Sequence, residues 1–247
     1  VEFLLDDKYV SDDLDAQLKY VPSRENANPI YLEKVFNFEY MPRTDRDIVI
    51  DGDLSEWTNG WIHMDKAENF NQFVGYYTPY FGVNDLSGNV AFKYDDEYLY
   101  FAAEVKDNIF YAENVEQVNI WSVDSIQLAL ALYPENLSLK GDFEEFAMCL
   151  LDGKPVLYRY RTKMDTATPT VIDNAELAIT QKDGITYYEF KAPWKNLIPN
   201  FEGVIPGNDI LISVVINDND GEGRKGVMQY GAGIDGTKDY TLFKRVY

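Results

Sequence analysis

The sequence has one cysteine, Cys149, and one histidine, His63. A lone cysteine excludes an internal disulfide. Its setting, Phe146-Ala147-Met148-Cys149-Leu150-Leu151, marks a small buried hydrophobe. One histidine and one cysteine fall short of the nitrogen and sulfur ligands that zinc and copper sites use. Catalysis by a nucleophile–histidine pair would have to use His63, and no nucleophile motif lies near it. Positive charge is also scarce. Lys and Arg total 22 against 42 Asp and Glu, a net charge of −20. That field repels phosphate backbones and anionic membranes and argues against nucleic acid as a partner. No apolar run is long enough to span a membrane and no signal peptide is visible, so no membrane insertion is expected. The first residue is Val1, which reads as a mature chain or a piece of a longer one. Helical periodicity is almost missing, and no fixed-period repeat is found.

What the chain does have is apolar and aromatic mass. Apolar residues make up 46% and aromatics 15%, with 19 Tyr and 14 Phe, which excludes a disordered chain. Tyr and Phe favour strands. The acidic excess keeps a protein soluble and can also supply calcium ligands. With 247 residues there is room for one large all-β domain or two small ones.

The organising stretch runs from Asn119 to Tyr133. Ile126, Leu128, Leu130 and Leu132 alternate with Gln127, Ala129, Ala131 and Tyr133. That period of two describes a strand with one face in a core. The other face is small and mildly polar, as in a sheet partly covered or hollowed. Trp121 precedes the strand in polar company, Asn119, Ser122 and Asp124. Its position suits ligand contact and packing alike.

Residues 1–45 differ from the rest. They are rich in Asp, Pro and Asn and thin in apolar residues, which predicts an extended arm or linker packed on the main domain, with one strand at Tyr31–Tyr40. From residue 46 onward turn signals come at short spacing. One hairpin is expected around Asp95-Asp96-Glu97, a second around Asp152-Gly153 and a third around Asp183-Gly184. Residues 65–88 read as an irregular aromatic-rich loop with Phe70, Phe73, Tyr76, Tyr77, Tyr80 and Phe81. A strand follows over Ile210–Ile216, with short strands at Val227–Tyr230 and Tyr240–Val246 and one helical turn at Pro193–Leu197. Many short strands with almost no helix predict an all-β, antiparallel β-sandwich of jelly-roll-like form over residues 46–247.

Among the tryptophans, Trp57 and Trp194 read as core and Trp61 fits either role. The loop Asn217-Asp218-Asn219-Asp220-Gly221-Glu222-Gly223-Arg224 crowds oxygen-bearing side chains. Asp218, Asp220 and Glu222 could supply hard oxygen ligands to calcium; a solvated turn with Asx hydrogen bonds is the other reading. Nothing singles out a carboxylate pair for glycoside hydrolysis.

Five segments in order resemble the family 9 carbohydrate-binding modules, part of a wider β-sandwich group that includes the DOMON domains. They are Ile50-Asp51-Gly52-Asp53-Leu54-Ser55-Glu56-Trp57, Tyr94-Asp95-Asp96-Glu97-Tyr98-Leu99-Tyr100, Trp121-Ser122-Val123-Asp124-Ser125-Ile126-Gln127-Leu128, Tyr188-Glu189-Phe190-Lys191-Ala192-Pro193-Trp194, and Val215-Ile216-Asn217-Asp218-Asn219-Asp220-Gly221. The resemblance implies a non-catalytic module of a secreted or cell-surface bacterial protein. It would bind a glucan, xylan or related glycan and could be attached to catalytic or cell-surface domains. It implies two aromatics sandwiching a sugar, polar side chains on the hydroxyls, and structural calcium. Trp121 resembles the first sandwiching Trp. Gln127 and Asn217 match sugar-contacting positions, and Asp51 and Asp53 match the family's turn as further calcium candidates. No Trp follows Trp194, so Tyr230 or Tyr240 would stand for the second aromatic. The family's Arg near Phe146–Leu150 is replaced. Two further readings stay open: a structural or adhesion sandwich without a sugar site, and a DOMON-type domain holding haem between His63 and Met148 or Met228.

Overall fold

Alternation along the strands produces two antiparallel sheets that share one interior. The computed structural model describes residues 13–20, 30–37, 41–44, 46–72, 79–132, 143–161, 172, 174–197, 210–234 and 238–246. Phe73, Tyr76, Tyr77 and Tyr133, all part of the expectations above, lie outside these residues.

In the N-terminal segment, β1 (Asp13–Tyr20) and β2 (Ile30–Asn37) pair with each other as an antiparallel ribbon. The sequence predicts one strand here. The second does alternate, Leu14, Ala16, Leu18 and Tyr20 against Asp13, Asp15, Gln17 and Lys19, but the Asp-rich composition of the segment masks that signal. One sheet contains β3 (Trp61–Met64), β5 (Leu86–Tyr94), β6 (Tyr98–Asp107), β10 (Glu176–Lys182) and β11 (Ile185–Pro193), in the order β10-β11-β6-β5-β3. The other contains β4 (Phe70–Gln72), β7 (Ser125–Leu132), β8 (Glu144–Leu151), β9 (Lys154–Arg161), β12 (Ile210–Asn219) and β13 (Arg224–Tyr230), in the order β4-β13-β12-β7-β8-β9. A last strand, β14 (Lys244–Val246), pairs with the start of β12. The expected strand at Tyr240–Val246 is therefore shorter, because Tyr240–Leu242 forms a 3-10 turn capped by the Asp239 carboxylate.

The three expected hairpins are present. Asp152 and Gly153, and likewise Asp183 and Gly184, all take left-handed φ angles, 48° and 73° then 54° and 77°. Two consecutive positive φ angles define the type I′ turn, whose twist matches that of the flanking strands. At Asp95 the carboxylate instead accepts from the Glu97 and Tyr98 N–H groups, an Asx turn. The helical turn at Trp194–Leu197 follows β11.

The core fills with the inward-facing halves of the alternations. Ile126, Leu128 and Leu130 of β7, Phe146 and Met148 of β8, and Ile212, Val214 and Ile216 of β12 meet Val90, Phe92, Phe101, Ala103, Tyr188 and Phe190 of the facing sheet. Gly88 of β5 is a point of tight packing between the sheets: a Cβ added there would run into Ile216 Cδ1.

The outer face of the β12-β7-β8 sheet is buried as well. Two separate apolar clusters cover it. One packs Ala112, Ile120 and Val123, from the segment after β6, on Ala147, Cys149 and Leu151. The other packs Ile234, Tyr240 and Phe243, from the segment between β13 and β14, on Ala129, Ala131, Leu211, Val215 and Val227. This explains why β7 is small on its outer side.

Candidate functional site

The site follows from where the two clusters stop. On β7 the outward residue Gln127 pairs across the ladder with Val215 on one side and Ala147 on the other. Val215 belongs to one cluster and Ala147 to the other. A line of polar side chains therefore runs along the boundary. Asn217 Nδ2 donates to Ser125 Oγ at 2.8 Å and to Gln127 Oε1 at 3.3 Å. Gln127 Nε2 donates to Glu145 Oε1 at 3.1 Å. Lys238 Nζ closes the line, 2.6 Å from Oε1 and 2.8 Å from Oε2 of Glu145. Direction is fixed along it. Ser125 Oγ spends its own hydrogen on the Ile120 and Val123 carbonyls, so it accepts from Asn217. One atom is left over: the buried Asn217 Oδ1 has no hydrogen-bond partner among the described residues. A buried acceptor without a donor costs stability and marks a place for a ligand or a water.

Each cap places one residue beside the line. Trp121 belongs to a 3-10 turn over Gln117–Ser122, and its N–H donates to Tyr160 Oη at 3.2 Å. The turn is held from below. Asn219 Nδ2 donates to the Ser122 carbonyl, and Asp124 accepts the Asn219 N–H, both within 2.8 Å, and also the Tyr111 N–H. Trp121 is nevertheless 41% exposed, unlike Trp57 and Trp194, which are buried as the sequence predicts. The Arg224 guanidinium lies 5.6 Å from the centre of its indole ring. Lys238 comes from the opposite cap, on a residue with left-handed φ of 49°.

A second polar group lies beneath the Trp121 turn. Carboxylate oxygens of Asp107, Asp218 and Asp220 lie within 4.8 Å of one another. Burial pushes Asp218 up to about 7, reinforced by the charges of Asp107 and Asp85. It pushes Asp107 up to about 6, against the Ile109 N–H that holds it down. Asp124 is raised too, by burial and then by Asp107. One Asp220 oxygen pairs with Lys225, while the other is buried with no partner among the described residues. Crowded acids with rising proton affinity and an open acceptor fit a hard divalent cation bound through oxygen.

The sequence-predicted residues divide accordingly. Gln127 and Asn217 come together, and the turn that carries Trp121 is tied to the same line through the Ile120 carbonyl, which accepts from Ser125 Oγ. Tyr230 does not join them: it points into the core between the sheets, because Met228 and Tyr230 share the inward parity of β13. Tyr240 is sealed under the C-terminal cap at 2% exposure. Neither presents a ring face to a ligand. Asp218 and Asp220 stand in the acid group, but Glu222 lies exposed in the loop tip, where no other His, Cys, Asp or Glu converges with it among the described residues. Asp51 and Asp53 are exposed in the segment before the Leu54–Glu56 turn and serve the chain itself, Asp51 accepting the Asp53 N–H and Asp53 capping the turn at Ser55. A haem held between His63 and Met148 or Met228 is ruled out by direction. His63 is exposed and bonds Asn89, while both methionines lie in the core.

Glu145, Lys238 and Asp107 were not among the expected site residues. The parity of β8 could have found Glu145, since Ala147 and Cys149 share its face. Lys238 and Asp107 carry no such local signal.

The chain matches the family model "Carbohydrate family 9 binding domain-like" over residues 50–243. It belongs to that family. Among solved structures it is similar to a family 9 carbohydrate-binding module from Caldicellulosiruptor kristjanssonii in complex with glucose. Identity is 14% and the TM-score 0.59, covering 84% of this chain and 93% of that one. A second structure, of a family 9 module from the same organism in complex with cellotriose, matches with 14% identity and a TM-score of 0.59, covering 84% of this chain and 91% of that one. No curated protein matches the chain.

Proposed function

We propose that this chain is a non-catalytic carbohydrate-binding module of a secreted or cell-surface protein, and that its sugar lies against Trp121 at the edge of the Asn217–Gln127–Glu145 line. The observation that carries this reading is the pairing of an exposed indole with an unpartnered buried acceptor on Asn217. A pyranose offers an apolar C–H face for the ring and hydroxyl donors for the acceptor. Family membership and the glucose- and cellotriose-bound neighbours support it. One exposed aromatic gives a modest site, so affinity should fall in the range of roughly micromolar to millimolar. Such a module acts by holding whatever it is attached to near a glycan.

Calcium belongs to the same proposal as a structural ion. Asp107, Asp218 and Asp220 would hold it, and its charge would offset their mutual repulsion below the Trp121 turn. It performs no chemistry here.

The test is calorimetric titration of glucose, cellotriose and xylan oligosaccharides, with calcium present, into the protein and into Trp121→Ala. Saturable heat that Trp121→Ala abolishes supports the reading. A panel that gives no heat overturns it in favour of a structural or adhesion sandwich, for which the burial of Tyr230 and Tyr240 already speaks.

A further inference from the structure

Glu145 and Lys238 are an unequal pair. The Glu145 side chain is 2% exposed, while that of Lys238 is 44% exposed. Glu145 is fixed from below by Gln127 and cannot reach water. The ammonium that neutralises it hangs from a surface segment and would itself be readily rehydrated if another cation took its place. If it left, a buried carboxylate would be unpaired, which is strongly unfavourable. A neutral hydroxyl does not repair that loss; another cation does. The rest of the line also lacks donors, since Asn217 Oδ1 is unpartnered and Gln127 Oε1 accepts a single long bond. Finally, the net charge of −20 attracts cationic ligands and repels acidic ones.

The geometry points to an amino sugar as the ligand, with its ammonium taking the place of Lys238 on Glu145. This rests on the carbohydrate reading of the same site. The ammonium is a donor-only group that satisfies the carboxylate as Lys238 does. The sugar ring then lies towards Trp121, and its hydroxyls supply the donor that Asn217 lacks. Acidic sugars are excluded by the same charges.

The test uses four probes at pH 6, where a sugar amine is charged: the trimer of β-1,4-linked glucosamine, its fully N-acetylated form, cellotriose, and glucuronic acid. Each is titrated calorimetrically into the protein, Glu145→Gln and Lys238→Ala, with melting temperatures checking that the variants fold. The glucosamine trimer should bind tighter than cellotriose by about tenfold, the scale of one charge-assisted hydrogen bond. That advantage should vanish on N-acetylation and in Glu145→Gln, grow in Lys238→Ala, and shrink with added salt. Cellotriose binding as tightly as the amine, or an amine preference that survives Glu145→Gln, overturns the inference and leaves the carbohydrate reading standing. Tighter binding of glucuronic acid overturns it as well. No heat from any sugar removes both.

Discussion

The two sheets each bury one glutamate on their outer side, and the two are held in opposite ways. Glu189, on β11, accepts from the Asp51 and Gly52 N–H groups at 3.0 Å and from the Trp57 indole N–H at 2.8 Å. All its donors are neutral, and all come from one turn. Burial still pushes its carboxyl up, with these three donors opposing the shift. Glu145 accepts from one amide and from an ammonium that reaches in from the surface. The tryptophans of the two sides differ in the same sense: Trp57, bonded to Glu189, is sealed, while Trp121 is open. A carboxylate whose partners are backbone and indole fastens a loop to a sheet. One whose partner can leave is suited to exchange.

The largest effect that would sharpen this contrast is on stability. Glu189→Ala leaves buried donors unpaired and should cost about 3 kcal/mol in denaturant unfolding. A loss below about 1 kcal/mol would break the comparison, because Glu189 would then fasten nothing. Next, Trp121→Ala should weaken cellotriose binding by about 2 kcal/mol, roughly thirtyfold, with an unchanged unfolding midpoint. A Trp121→Ala protein that melts early would put Trp121 in the same class as Trp57. Asp218→Asn should raise the melting temperature measured in a chelator, by about 1 kcal/mol in stability, and remove the further rise that calcium produces. Lys238→Ala should cost about 1 kcal/mol of stability, because it leaves the buried Glu145 carboxylate with the Gln127 amide alone while opening it to water.

The smallest effect is one of pH. The Glu189 carboxyl is raised in the fold, so its contribution is fully present below the ordinary carboxylate range and is lost as pH rises through the raised value. Subtracting the unfolding profile of Glu189→Gln from that of the parent protein should leave a curve that falls with rising pH across that window. A difference curve that rises would reverse the sign.

Strand parity made the sandwich legible. The alternations around Ile126, Phe146, Tyr188 and Ile212, and the two Asp-Gly turns, state which residues face in and where the chain reverses. Gln127 and Asn217 were brought out by the family resemblance. Parity was weakest where a residue type misled. Tyr230 looks like a surface aromatic by composition, yet Met228 commits it to the core. Glu144 and Glu145 look like one solvated acidic pair. Alternation sends Glu144 inward to Arg159 and Glu145 outward to Lys238, a partner that local sequence cannot name. Asp107 reads as the polar end of a strand. Only the stacking of the two sheets brings it to Asp218.

That stacking depends on Gly88. It sits two residues from the register partner of Asp107 on β5 and faces Ile216, two residues before Asp218 on β12. The missing side chain leaves room for Ile216 at a point two residues along each strand from the carboxylates of Asp107 and Asp218. A single methyl at that point would widen the gap at the mouth of the sandwich. In the calcium site proposed above, selectivity among ions of different radius would then be adjusted from a position outside the ligand set, and an alanine there should be felt first as a change in which cation, if added, protects the protein from heat.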